Sequence, residues 1–172
     1  MIILGVDPGS LRTGYGAIQT DGRRHALLEK GVLAPGPGLG LPEKLVVIHG
    51  GVAAIIDRFR PDILAVEDIF HAANTRSALI LGHVRGAVLL AGAQRGVPVF
   101  AFAPATVKLQ VTGHGRAEKG QVALMVARLL EMPGDGEPGD ASDALAVALC
   151  HAHLHPAGLP APQFPPAARR YS

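Results

Sequence analysis

Four carboxylates stand where their neighbours make them hard to read as solubilising charge. The run MIILGVD ends on Asp7 and turns at once through Pro8-Gly9-Ser10. A second apolar run, DILAVE, ends on Glu67, and DASDALAVALC opens an apolar stretch with Asp140 and Asp143, three residues apart and so on one helical face. An acid at the end of a core strand costs desolvation energy unless something positive meets it. Two buried like charges leave one protonated unless a cation intervenes. Four carboxylates without cysteine ligands or patterned histidines suit a hard, oxygen-preferring cation, Mg²⁺ or Mn²⁺. The glycine-rich DPGSLRTGYG turn can bring backbone amides to phosphate oxygens. Carboxylate-held ions beside such a turn are what phosphodiester hydrolysis requires: an activated water and a stabilised leaving oxygen.

Structural readings compete with this chemistry. Asp140 is placed to be a helix N-cap, with Asp143 at the third helical position complementing the helix dipole. Asp7 can bond the amides of its own DPGS turn. Glu67 has no such alternative, because AVEDIF offers no turn chemistry.

The elements that must position these acids follow from periodicity. Residues 1–7, 13–20 and 24–34 read as three strands of an antiparallel meander. From 41 to 60 the apolar positions keep helical spacing, and Pro61 stops the helix. A short strand over 62–67 is followed by a loop at 68–74 and a helix over about 75–95 rich in small residues. Residues 97–102 form another buried strand, with helices near 104–111 and 118–131 and from about Asp140. The expectation is an α/β domain over 1–154, with parallel crossovers after the meander. Asp7 and Glu67 then lie at the carboxyl ends of central strands, where open α/β sheets carry their sites. Residues 155–172, with five prolines in the last 18, read as a flexible tail.

Composition sets the outer bounds. The chain has 172 residues, of which 48% are hydrophobic and 17% charged, the balance of a globular domain with a sizeable core. A net charge of +2 and a pI near 9.0 permit a nucleic-acid partner without requiring one. The single cysteine, Cys150, excludes an intrachain disulfide and a cysteine-based zinc site. No apolar stretch is read as reaching the roughly 18 residues of a membrane span, and no secretory signal is seen, so a cytoplasmic protein is expected.

Taken in order, D-P-G-S-x-x-T-G-Y-G, A-V-E-D-I-F, S-A-L-x-L-G-x-x-R-G, A-E-K and D-A-S-D-A-L-A-V-A resemble the RuvC family of bacterial Holliday junction resolvases, from residue 3 to about 153. The resemblance implies a ribonuclease H-like fold, a five-stranded mixed sheet with its first three strands antiparallel and helices on both faces. It implies a homodimer that nicks opposing strands of a four-way DNA junction symmetrically, with Mg²⁺ or Mn²⁺, one or two ions per subunit. The RuvA-RuvB branch-migration complex enters as a partner on the same ground. By motif, Asp7, Glu67, Asp140 and Asp143 would be the metal-binding catalytic acids. Lys108 and Lys119 match two lysines near the scissile phosphate, and Lys119 is assigned a catalytic part. Phe70 matches an aromatic that stacks on a base at the junction centre, and Arg76 and Arg116 are candidate DNA contacts by chemistry and location. Asp140 stands where some members carry His. His71 and Thr75-Arg76 depart from the family pattern in the loop that contacts the junction.

Other classes are weighed against this. A sugar-kinase-like phosphotransferase shares the strand–acid–glycine turn but needs a second comparable domain. An RNA-processing nuclease of the same fold begins similarly, and AVEDIF, the long helix and DASDAL fit it less well. A non-catalytic junction-binding module would gain nothing from four acids, which weaken binding to a polyanion unless metal sits between.

Overall fold

The computed structural model describes residues 1–68, 74–133 and 136–156. Ten elements follow in order: β1 (Ile2–Asp7), β2 (Thr13–Thr20), β3 (His25–Leu33), α1 (Leu41–Phe59), β4 (Ile63–Glu67), α2 (Thr75–Gln94), β5 (Val99–Phe102), α3 (Pro104–Thr112), α4 (Lys119–Leu129) and α5 (Asp140–Leu154). The sheet order is β3-β2-β1-β4-β5. The first three strands are antiparallel, and β1, β4 and β5 run parallel. The expected α/β sheet is therefore present. Of the expected tail, residues 157–172 lie outside the described residues.

Strand alternation divides the core between two faces. Leu4, Val6, Leu64 and Val66 pack with Ile48, Val52 and Ile56 of α1 and with Val84 and Val88 of α2. Ile3, Ile63 and Ala65 point the other way, toward Val107 of α3, Val122 and Val126 of α4, and Leu145 and Leu149 of α5. Each large apolar side chain, buried completely, contributes about 1.5–3 kcal/mol. By the same alternation Asp7 and Glu67 belong to the α5 face.

Glycine sets how closely α5 approaches. A Cβ at Gly5 would overlap the Ala144 carbonyl, one at Gly14 the Asp140 carbonyl, and one at Gly16 the Leu145 side chain. Helix backbone therefore lies directly on β1 and β2. This puts the first turn of α5 beside the end of β1.

The ends of the helices differ from expectation in instructive ways. Asp140 is not the N-cap of α5; Gly139 is, with no side-chain cap, and Asp140 is the first helical residue. The Asp140 carboxylate is instead drawn to Arg12, as described below. At α4, Glu118 is the N-cap and forms a capping box with Gln121, so Lys119 starts the helix. At α1, Arg60 takes a left-handed conformation (φ 46°) and its N–H bonds the Ile56 carbonyl, ending the helix at Phe59, two residues before Pro61.

α2 meets the length and apolarity of a spanning helix, 20 residues with a mean hydropathy of 1.2 over its most apolar stretch, where the sequence reading expected none. Leucine, valine, isoleucine and alanine raise that mean, while the glycines lower it and leave room on the helix surface. Only 22% of the stretch is buried. Val84, Val88, Ala91 and Gly92 face the core, whereas Leu79, Gly82, Gly86 and Leu90 form an exposed stripe on the opposite side.

Two glycine substitutions test this packing by urea unfolding. Gly14→Ala should cost about 1–3 kcal/mol or more, because the new methyl meets helix backbone that cannot turn aside. Gly50→Ala, in α1 with nothing within 4 Å of the added carbon, should instead stabilise by roughly 0.5–1 kcal/mol.

Candidate active site

The pairing of Ile3 with Ile63 through Val6 with Val66 carries Asp7 and Glu67 to adjacent ends of β1 and β4. Both carboxyls face the first turn of α5, which brings Asp143 and Asp140 into their electrostatic field. The DPGS turn does not use Asp7 as a cap. Thr13 closes it: its hydroxyl donates to the Gly9 carbonyl (2.7 Å) and accepts the Gly9 N–H (3.3 Å). Asp7 is thereby left for other partners.

Its partner in the protein is Glu67. The two carboxyls interact as one pair that keeps a shared proton, Glu67 being pushed up the more of the two. Burial is the main cause that pushes Glu67 up to about 8, with the Asp7 charge next. Asp7 is pushed up to about 6, first by burial and then by Asp143. The outer two acids each hold a cation. Lys119 Nζ lies 3.0 Å from Asp143 Oδ2, and Arg12 Nε lies 2.5 Å from Asp140 Oδ2. Lys119 is raised above its ordinary value chiefly by that bond.

Two hollows meet over Asp7 and Glu67. One, of about 610 Å³, runs between Leu81 of α2 and the start of α3, with Asp68 and Lys108 on its walls. The other, of about 340 Å³, lies under α3, α4 and α5 and is lined by Lys108, Lys119 and Asp143. Lys108 and Lys119 thus border the paired acids from α3 and α4. Arg76, at the start of α2, and Arg116, ahead of α4, form no ion pair with the acids. Phe70 and His71 lie outside the described residues.

Among the described residues that line either hollow, the acidic donors are all oxygen and none carries a thiol or imidazole, which fits a hard divalent ion in type. The buried pair keeps a proton for want of positive charge, which also fits. As the side chains stand, however, no three acid, histidine or cysteine groups among the described residues are arranged to hold an ion. Asp140 and Asp143 would have to leave Arg12 and Lys119. Arg12 is the site residue that sequence reading missed. The signal was its place two residues before Gly14, just ahead of β2, whose Gly14 and Gly16 face α5.

The paired acids set a pH dependence in metal-free protein. Their folded values lie above the ordinary 3.8 and 4.5, so the folded state binds more protons and stability falls as pH rises toward about 8. Buried His151, lowered to about 4 by burial, works in the opposite sense, but only below its ordinary 6.5. In EDTA the melting temperature should therefore fall between pH 6.5 and 8.5. Asp7→Asn should flatten that slope, and a slope equal to wild type would mean the carboxyls do not interact.

Comparison with known proteins agrees with this geometry. Residues 3–151 match the family described as crossover junction endodeoxyribonuclease RuvC. A RuvC of Pelotomaculum thermopropionicum is 49% identical over 153 residues, 89% of this chain and 93% of the relative. One of Desulforamulus reducens is 47% identical over 152 residues, 88% and 93% of the two chains. The structure of Thermus thermophilus RuvC in complex with a Holliday junction substrate superposes with a TM-score of 0.84 at 38% identity, covering 90% of this chain and 94% of that one. The yeast mitochondrial resolvase Ydc2, at 13% identity and a TM-score of 0.63 over 88% of this chain and 77% of its own, shares the fold. With residues 3–151 spanned by the family's pattern and the acids at the strand ends, the chain belongs to the RuvC family of crossover junction endodeoxyribonucleases.

Proposed function

We propose that this chain resolves four-way DNA junctions by metal-assisted hydrolysis of phosphodiester bonds, as a homodimer that nicks two opposing strands. The chain is a DNA hydrolase of the RuvC family, and its relative from Thermus thermophilus binds a Holliday junction. The observation that carries the mechanism is the buried Asp7–Glu67 pair, short of positive charge at the floor of a cleft bordered by two lysines.

Asp7, Glu67, Asp140 and Asp143 would hold one or two Mg²⁺ or Mn²⁺ ions, which supply an activated water and stabilise the departing 3′ oxygen. The chain's own residues do the rest. To hold an ion, the buried pair would have to release its shared proton to solvent. Lys119, fixed at the start of α4 by the Glu118 capping box, turns its ammonium from Asp143 to the charge that develops on the phosphate. Lys108, on the opposite wall, helps fix that phosphate. Base stacking is assigned to Phe70 on the resemblance, and outer phosphate contacts to Arg76 and Arg116 on their chemistry and location. Action beside the RuvA-RuvB complex in the cytoplasm rests on the same family likeness.

The exposed stripe of α2 supports the dimer. Leu79 and Leu90 flank Gly82 and Gly86, where an added carbon would meet nothing, so a second helix can approach closely along an apolar seam. A two-fold dimer matches the two-fold symmetry of a junction.

Cleavage of a synthetic mobile junction beside linear duplex of the same sequence, with Mg²⁺ and separately Mn²⁺, is the test. Wild type should give paired symmetrical nicks on the junction alone. Asp7→Asn should lose more than about 100-fold in rate while binding survives, the scale on which even outer contacts to a metal act. Lys119→Met should lower kcat by about 10²–10³. Junction binding without cutting in either metal would make the chain a binding module, and cutting of RNA in preference to junction would make it an RNA nuclease. Leu79→Asp should shift the sedimentation profile from dimer to monomer, and an unchanged profile would move the dimer surface away from α2.

A further inference from the structure

The contact between Arg12 and Asp140 is built, not incidental. Gly14 and Gly16 face α5, so residue 12 on the same side of the chain leads toward the first turn of that helix. The Thr13 clamp fixes the turn, and Gly9 packs so closely on the Arg12 carbonyl that a Cβ there would overlap it. Arg12 Nε then donates to Asp140 Oδ2 at 2.5 Å. The terminal nitrogens, Nη1 and Nη2, bond no side chain or carbonyl among the described residues, and the side chain is 61% exposed. One edge of a planar cation is thus committed to an acid of the site and the remainder is offered to solvent.

We propose that Arg12 is a positioning residue that couples DNA docking to metal binding: it holds Asp140 as a resident counter-cation until a backbone phosphate of the junction draws its guanidinium away. This rests on the reading of Asp140 as a metal ligand. A carboxylate held by arginine cannot give its full charge to a divalent ion, so the ion must displace the guanidinium. A phosphate can take the free Nη edge in the two-pronged geometry that arginine offers carboxylates and phosphates alike, and a bound phosphate then draws the guanidinium off Asp140. DNA therefore eases metal entry at Asp140. By linkage, metal at Asp140 frees Arg12 for DNA by the same factor. Lys119 on Asp143 stands in a similar relation inside the cleft, but Arg12 does so from the rim, where the strand would arrive.

Two readouts test this without relying on turnover. The first, on DNA-free protein, is the Mg²⁺ concentration at the midpoint of thermal stabilisation. The second, in EDTA, is the slope of junction affinity against salt. Arg12→Met should lower the Mg²⁺ midpoint by about two- to fivefold, the range open to an exposed ion pair. It should also make the salt slope shallower by about 0.9, as expected when one phosphate fewer is neutralised. Arg12→Lys, which keeps the charge but not the fork, should keep the slope and give an intermediate midpoint. An unchanged midpoint, an unchanged slope, or both in Arg12→Met would overturn the coupling, because it requires one guanidinium to serve both ligands. Asp140→Asn separates the two levels: if it leaves the wild-type Mg²⁺ midpoint unaltered, Asp140 is not a ligand and the proposal falls with that reading.

Discussion

Repulsion between two carboxylates organises this structure. Parallel pairing of β1 with β4 forces Asp7 and Glu67 side by side at the strand ends, and burial denies them the water that would separate their charges. The protein answers with a shared proton at the centre and with two cations on the outer acids. Charge is therefore nearly balanced before any ion or DNA is present. Every later event at the site is an exchange of one positive partner for another rather than the filling of a void.

The two faces of the sheet divide the labour. The face covered by α1 and α2 is a packed apolar layer whose outer helix keeps an apolar seam exposed. The opposite face carries α3, α4 and α5, which bring candidate site groups to the cleft: Lys108 from the middle of α3, and Lys119 and the acids of DASD from the first turns of α4 and α5. Helix N-termini favour anions, and their clustering here sets a positive field around a strongly acidic floor. Such an arrangement suits a polyanion that must come close to carboxylates without being expelled.

Much of this was legible in the sequence because it depends on local pattern. Strand acids after apolar runs, the turn residues of DPGS and the spacing of DASD identified the acids and put them at one end of one sheet. Other features depend on contacts distant in sequence. Arg12 meets Asp140 across 128 residues, so nothing near either one announces the pair. That pair in turn explains why Asp140 does not cap its own helix: its carboxylate has a stronger partner than a backbone amide. The capping box of Glu118 and Gln121 is local and was readable as E-x-x-Q, but it was overshadowed by the lysine between them. The apolarity of α2 was hidden because glycines and two arginines interrupt its run of Leu, Val, Ile and Ala, although the average stays high.

The glycines beneath α5 carry a consequence for how variation in this chain should be interpreted. Gly5, Gly14 and Gly16 are assigned no part in the chemistry, yet the height of α5 above the sheet is fixed by their missing side chains. Lifting that helix by the width of a methyl group would separate Asp140 and Asp143 from Asp7 while the acids themselves stay unaltered. A genetic survey would then score such positions as essential for catalysis, and the intolerance would reflect spacing between backbones rather than any chemistry of the residue replaced.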